Sequence, residues 1–316
     1  MPLHPVIQTA LASAAALPAY DTLPIAQVRA QAKLGYPPRK DPVQVGEVRN
    51  LNIPGPGGAL ALRIYRPVGQ TPGPIIMFFH GSGFVILDLD THDDICRRLC
   101  AGSSCVVVSV DYRLAPENKF PAAPDDCLAA TRWVAVHAGE FGGDASRMVV
   151  AGDSAGGCLA AVTALRIRDE GGPPLQGQLL WYPVTDYPTS TPNSYLAYGS
   201  GFGLTQAGIR WYWDQYLEDP SAASHPHASP MRAVSTHALP SAYVLVAEFD
   251  VLRDEGEAFA RRLVDGGVET VTRCWPAMNH GFLKYTGVIE EVDAAMADAC
   301  AWLKNVLQRN TILVLA

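Results

Sequence analysis

MVVAGDSAGGCLAAVTALRIR, residues 148–168, reads as an apolar β-branched strand, a sharp turn flanked by glycines, and a helix, with Ser154 at the apex. Gly152 and Gly156 carry no Cβ, so strand and helix can approach closely while Ser154 is thrust out in a strained conformation. A serine hydroxyl is a poor nucleophile until it is exposed, oriented and paired with a base, and the GxSxG turn does the first two. Ala155 opens the helix, where free N–H groups and the helix dipole favour negative charge. A plain structural turn can carry the same five letters, but here the flanking strand and helix supply the context that a nucleophilic serine requires.

The same rhythm runs outward in both directions. Strands are expected at 59–65, 75–80, 105–112, 148–151, 178–182, 243–249 and 270–274, and helices at 91–102, 125–137, 155–168, 255–266 and 290–308. Runs such as IIMFF and VVVSV are apolar without alternation, as strands of a parallel sheet covered on both faces must be. The fold class is therefore α/β, with a mostly parallel central sheet flanked by helices. Two stretches break the rhythm: residues 1–45, and residues 185–235 with the aromatic helix around IRWYWDQYL. They are expected to form a cap in two segments over a catalytic domain made of 46–184 and 236–316.

The strand at 75–80 leads into HGSGF, residues 80–84, and a glycine-rich loop there can offer N–H donors to an oxyanion. The donors assigned are the N–H groups of Ser82, Gly83 and Ala155, in a loop carrying His80 and Gly81, with His80 as a hydrogen-bonding prop. A base must be a histidine, and of the eight present His280 in PAMNHGF follows a strand. Asp250 ends YVLVAEFD, where a carboxylate can fix the His280 tautomer. The chain order Ser154, Asp250, His280 is that of serine hydrolases built on such a sheet. Asp254, the rival carboxylate, reads as a helix cap or surface charge. His92 and His137 read as ordinary helix histidines, and the His225/His227 pair lacks a third metal ligand.

The 316 residues hold 48% hydrophobic and 17% charged side chains with a net charge of −7, which leaves no basic stripe for nucleic acid. Seven cysteines without a CxxC pair read as buried, reduced thiols in a cytoplasmic protein, Cys96 and Cys100 sharing a helix face. The run ALASAAALPA at 10–19 lacks a preceding Lys or Arg and is too short to cross a bilayer, so it reads as an amphipathic helix. No metal, cofactor or stable membrane insertion is expected.

The motifs HGSGF, DYRLAPE (111–117) followed by FPAAPDD, GDSAGG (152–157), FDVLRDEG (249–256) and HGF (280–282) occur in order. Through them the chain resembles the bacterial hormone-sensitive-lipase-like carboxylesterases of the α/β-hydrolase superfamily. The resemblance implies hydrolysis of short-to-medium acyl esters without a cofactor, Ser154, Asp250 and His280 as triad, Ser82, Gly83 and Ala155 as oxyanion hole, and a homodimer. It also implies that Glu117 is a structural carboxylate beneath the site. The family loop usually reads HGGG, and Ser82 replaces its second glycine. Serine there is either strained, if φ is positive, or offers the oxyanion an extra donor; added bulk against large alcohol groups is the favoured effect. Phe84, Phe202, Trp211, Trp213 and Tyr216 are the candidate pocket wall. Amide or thioester hydrolysis uses the same machinery. A non-catalytic small-molecule receptor of this fold would lack the triad histidine, and His280 is present.

Overall fold

The computed structural model describes residues 2–69, 72–188 and 192–309. Residues 189–191 of the expected second cap segment and 310–316 of the catalytic domain thus lie outside the described residues. The chain opens with helices α1 (Pro5–Ala14) and α2 (Ile25–Lys33), then hairpin strands β1 (Glu47–Gly55) and β2 (Gly58–Arg66). There follow β3 (Gly73–Phe79), α3 (Asp93–Ser103), β4 (Val106–Val110), α4 (Ala122–His137), β5 (Gly143–Asp153), α5 (Ala155–Glu170) and β6 (Leu175–Trp181). Helices α6 (Asn193–Tyr198) and α7 (Gln206–Tyr216) precede β7 (Ser241–Phe249), α8 (Arg253–Asp265), β8 (Thr270–Asn279) and α9 (Glu290–Arg309).

The strands form one sheet in the order β1-β2-β4-β3-β5-β6-β7-β8. β1, β2 and β4 pair antiparallel, and every pairing from β4 through β3 to β8 is parallel. Alternate residues of each central strand feed two separate cores. Ile75, Met77 and Phe79 of β3 join α4, α5 and α8 on one face, while Ile76 and Phe78 join α1, α3 and α9 on the other. Each such side chain contributes about 1.5–3 kcal/mol when fully buried, which is why these strands show no polar alternation. Helix α3 shows how local chemistry sets an element. Asp93 and Asp94 occupy its first turn and pair with Arg97 and Arg98 one turn on, at 2.6 and 2.8 Å, favourable both to the dipole and to i,i+4 geometry. Cys96 and Cys100 do share its buried face.

Three expectations need correction. Strand β1 is missing from the sequence reading because it lies at the sheet edge, mostly exposed, so no apolar run betrays it. The first helix lies earlier than residues 10–19: Pro5 sits at its N-terminus and it ends at Ala14. Cys274 is exposed, although all seven thiols are free.

The strand–helix junction at Ser154 depends on close backbone approach. A Cβ on Gly156 would meet the Phe79 carbonyl of β3, and one on Gly152 would meet the Gly156 carbonyl. Gly156→Ala is therefore expected to lower stability by about 3 kcal/mol or to prevent folding, whereas Gly139→Ala, which meets nothing, should stay within about 0.5 kcal/mol. Equal melting temperatures for the two variants would refute the close-packing account.

Candidate active site

Four loops leave the carboxyl ends of parallel strands on the same side of the sheet, which is where open α/β sheets place their ligands. Phe79 of β3 is level with Gly152 of β5, and Asp153 with Trp181 of β6. The oxyanion loop, the nucleophile turn, Asp250 and His280 thus follow β3, β5, β7 and β8. Ser154 has φ 55° and ψ −120°, a sparsely populated conformation that costs about 1–3 kcal/mol. Its N–H donates to the Trp181 carbonyl at 2.8 Å, and its carbonyl accepts from Val184 and Cys158 N–H at 3.1 Å each. Those bonds hold the strain in place.

His280 Nε2 lies 2.8 Å from Ser154 Oγ, and His280 Nδ1 lies 2.8 Å from Asp250 Oδ2. The other Asp250 oxygen accepts the Leu252 N–H at 2.9 Å, so the buried carboxylate has both oxygens engaged. Tyr182 meets the His280 ring edge-on, with centroids 5.0 Å apart. Among the described residues, the N–H groups of Ser82 and Gly83 have no internal partner, and Ala155 N–H, as the first of α5, has none by helix geometry. Gly81 N–H donates to Asp153 Oδ1 at 2.7 Å, clamping the loop to the nucleophile turn. Burial alone would raise the Asp153 carboxyl, but His92 at 3.3 Å and the Gly81 N–H outweigh it and hold it below the usual range.

Several assignments change on inspection of the surroundings. His80 props the loop mainly by stacking on Tyr112, with centroids 4.4 Å apart; among the described residues its ring makes one hydrogen-bond contact, 3.3 Å to Gly81 O. Burial, helped by neighbouring His92, pushes its pKa down to about 3, so it is neutral. His92 is not a helix histidine but a buried residue ahead of α3 facing Asp153. Glu117 is not beneath the site: its side chain is half exposed and bound at both oxygens by Arg29 of α2, at 2.9 and 2.6 Å. The same guanidinium donates to the carbonyls of Val85 and Ala115, so Arg29 fastens the N-terminal segment to the oxyanion loop. Asp254 accepts the Ser194 N–H at 2.8 Å, tying α6 to α8 rather than capping its own helix. His225 and His227 pack on each other, and no group of three or more metal-binding side chains occurs among the described residues.

The aromatic residues divide differently from expectation. Phe84 stacks on Tyr216 at 3.8 Å, with Trp213 beside both, and all three are buried; they pack α7 against the loop that follows β3. Phe202 stacks on Phe249, and Trp211 packs on Tyr20. Tyr212 also lies against the oxyanion loop, its ring occupying the space a Cβ on Gly83 would need. Tyr20 reaches it from the N-terminal segment, and Tyr36 approaches Gly281 beside His280. Sequence reasoning missed these three tyrosines. The only available signal was helical: adjacent residues of the WYW run point about 100° apart, so Tyr212 cannot share the direction of its tryptophan neighbours. A cavity of about 410 Å³ lies between residues 36–50, α3 and Lys284, but it contains no triad residue, and Arg39, Arg63 and Arg97 in it pair with aspartates.

Residues 76–284 match the family described as alpha/beta hydrolase fold. The chain belongs to the hormone-sensitive-lipase-like α/β-hydrolase family. Esterase LipI of Mycobacterium tuberculosis is 43% identical over 269 residues, 82% of each chain. Carboxylesterase NlhH of the same species is 39% identical over 252 residues, 78% of this chain and 79% of its own. A hyperthermophilic esterase from Pyrobaculum calidifontis superimposes with a TM-score of 0.90 at 39% identity, over 96% of this chain and 99% of its own.

One buried carboxyl in this α/β hydrolase makes a measurable prediction. Glu255 of α8 accepts the Thr185 N–H at 2.9 Å and pairs with Tyr195 Oη at 2.8 Å. Burial pushes its pKa up from 4.5 to about 8, with Asp186 and Asp250 adding to the rise against the two hydrogen bonds. The folded protein therefore holds a proton that the unfolded chain releases near 4.5, so this stabilising contribution is complete at low pH and disappears as pH rises through about 8. Glu255→Gln mimics the protonated acid and should gain stability relative to wild type between pH 5 and 8, by a few kcal/mol at most (about 1.4 kcal/mol per pKa unit). Denaturation midpoints of the two proteins that run parallel from pH 5 to 9 would contradict this.

Proposed function

We propose that Ser154 attacks the carbonyl of a carboxylic ester, with His280 as its base and Asp250 as the group that orients and charge-stabilises the imidazole. The hydrogen-bonded line Ser154–His280–Asp250, two contacts of 2.8 Å, carries the reading. Carboxylic ester hydrolysis is the activity of the chain, in keeping with the esterases to which it is similar. Attack moves the Ser154 proton to His280 Nε2 and puts negative charge on the former carbonyl oxygen, opposite the N–H groups of Ser82, Gly83 and Ala155. Collapse of that intermediate expels the alcohol, which takes the proton from His280 and leaves an acyl group on Ser154. Water then repeats the sequence through His280 and releases the acid. No step needs a cofactor.

Residues 1–45 and 185–235 act as the cap over this centre, a reading supported by the contacts of Tyr20 with Trp211 and Tyr212. The substrates that suit it are esters of short-to-medium acyl groups. No described helix is long and apolar enough to cross a membrane, and a cytoplasmic setting is supported by seven free thiols. A homodimer follows from the family resemblance, and light scattering on the purified protein tests it.

Ser154→Ala and His280→Ala should each lower kcat by at least about a thousandfold, and the double variant should be no worse, because the pair acts as a unit. Retention of more than a few per cent of activity by purified Ser154→Ala would defeat the triad assignment. Tyr212→Ala should change the kcat/KM ratio between butyrate and octanoate p-nitrophenyl esters by about fivefold or more, roughly 1 kcal/mol. An unaltered chain-length profile would remove the cap from substrate selection.

A further inference from the structure

The oxyanion loop contains a hydrogen-bond chain whose direction can be worked out from proton counting. Phe84 N–H donates to Ser82 Oγ at 2.7 Å, Ser82 Oγ lies 2.5 Å from Tyr112 Oη, and Tyr112 Oη lies 2.6 Å from the His80 carbonyl. A carbonyl can only accept, so the single tyrosine proton goes to His80 O. The short Ser82–Tyr112 contact must then be filled by the serine proton. Every donor in the line Phe84 N–H, Ser82 Oγ–H, Tyr112 Oη–H is committed, and the line ends on the residue where the loop begins.

Backbone geometry explains what this chain is for. The positive φ values fall on Gly83 (53°) and Phe84 (65°), not on Ser82, so the strain expected at the serine is absent there. It sits instead on Phe84, where a left-handed backbone is disfavoured for a bulky side chain. Ser82 collects the N–H groups of that turn: Phe84 at its hydroxyl, Val85 and Ile86 at its carbonyl, 3.1 and 3.0 Å. A glycine at position 82 has no side-chain oxygen to offer the Phe84 N–H. Nor can the Ser82 hydroxyl proton serve the oxyanion, because it is bound to Tyr112.

We infer that the Ser82 hydroxyl and Tyr112 form a positioning pair that fixes the oxyanion donors Ser82 N–H and Gly83 N–H, with Tyr112 bracing the loop from the buried strand end. The inference rests on the oxyanion-hole reading given above, and it replaces the expectation that Ser82 acts mainly through added bulk against large alcohol groups. Neither side chain touches the substrate; both act through the loop backbone.

The experiment measures kcat and KM on p-nitrophenyl acetate, melting temperature, and inhibition by a trifluoromethyl ketone, whose adduct with Ser154 carries the oxyanion. Ser82→Ala and Tyr112→Phe should each lower kcat about 20- to 100-fold with KM within about threefold, and weaken the ketone by the same factor. The double variant should be no worse than the poorer single one, and Ser82→Thr, which keeps the hydroxyl, should recover most of the activity. If Ser82→Ala is poorly folded, Tyr112→Phe alone carries the test, since it removes one atom from a stacked ring. Loss of melting temperature with kcat and ketone affinity unchanged would overturn the inference, as would additive effects in the double variant. An active Ser154→Ala protein would instead sink the underlying triad reading, so the two failures are distinguishable.

Discussion

Backbone contact between β3 and the start of α5 is the constraint on which the site depends. Only because positions 152 and 156 lack side chains can the Phe79 carbonyl, the Gly152 strand end and the first turn of α5 occupy one small volume. That contact sets the distance between the nucleophile turn and the loop that leaves β3. Asp153 then spans the gap, its Oδ1 accepting the Gly81 N–H and facing His92. A strained serine and an oxyanion loop from different strands thereby become one rigid part, which is what electrostatic preorganisation requires.

Polar groups buried around this part are arranged to link segments distant in sequence. Helix α8 illustrates it: Asp250 before it serves His280, while Asp254 and Glu255 within it bind Ser194, Thr185 and Tyr195 of the segment after β6. Arg253 adds its guanidinium over the Tyr198 ring at 5.1 Å. Asp250 and helix α6 are thus both tied to the start of α8. The energetic logic favours such wiring, since each buried polar atom is costly unless bonded.

The fold and the three reacting residues were legible because they are written in local patterns. Fully buried strands such as β3, β4 and β7 appear as unbroken apolar runs, and Ser154 sits in a motif whose glycines have steric causes. What was not legible depends on tertiary neighbours. Exposed β1 leaves no apolar trace, Glu117 is placed at the surface by Arg29, and His92 is defined by Asp153, 61 positions away in the chain. The aromatic helix was legible only in part: composition identifies it, but only its packing decides that Trp213 and Tyr216 are buried while Tyr212 reaches Gly83. Ser82 is the clearest case. Two opposed readings were open from the letters alone, strain or an extra oxyanion donor, and a tyrosine hydroxyl 30 residues later replaces both.

Finally, the N-terminal segment is anchored to residues made much later. His4 N–H bonds the Ala277 carbonyl at 2.9 Å, Ile7 packs in the core shared with α9, and Arg29 grips Val85, Ala115 and Glu117. The backbone bond that ties the start of α1 to the sheet therefore cannot close until β8 is in place. Contacts of such long sequence separation are slow to form because of the chain entropy they close off. Until that bond closes, the Ile7 side of α1 is the apolar surface that the unfinished chain leaves uncovered. The N-terminal segment thus completes its docking late, on strands that already exist.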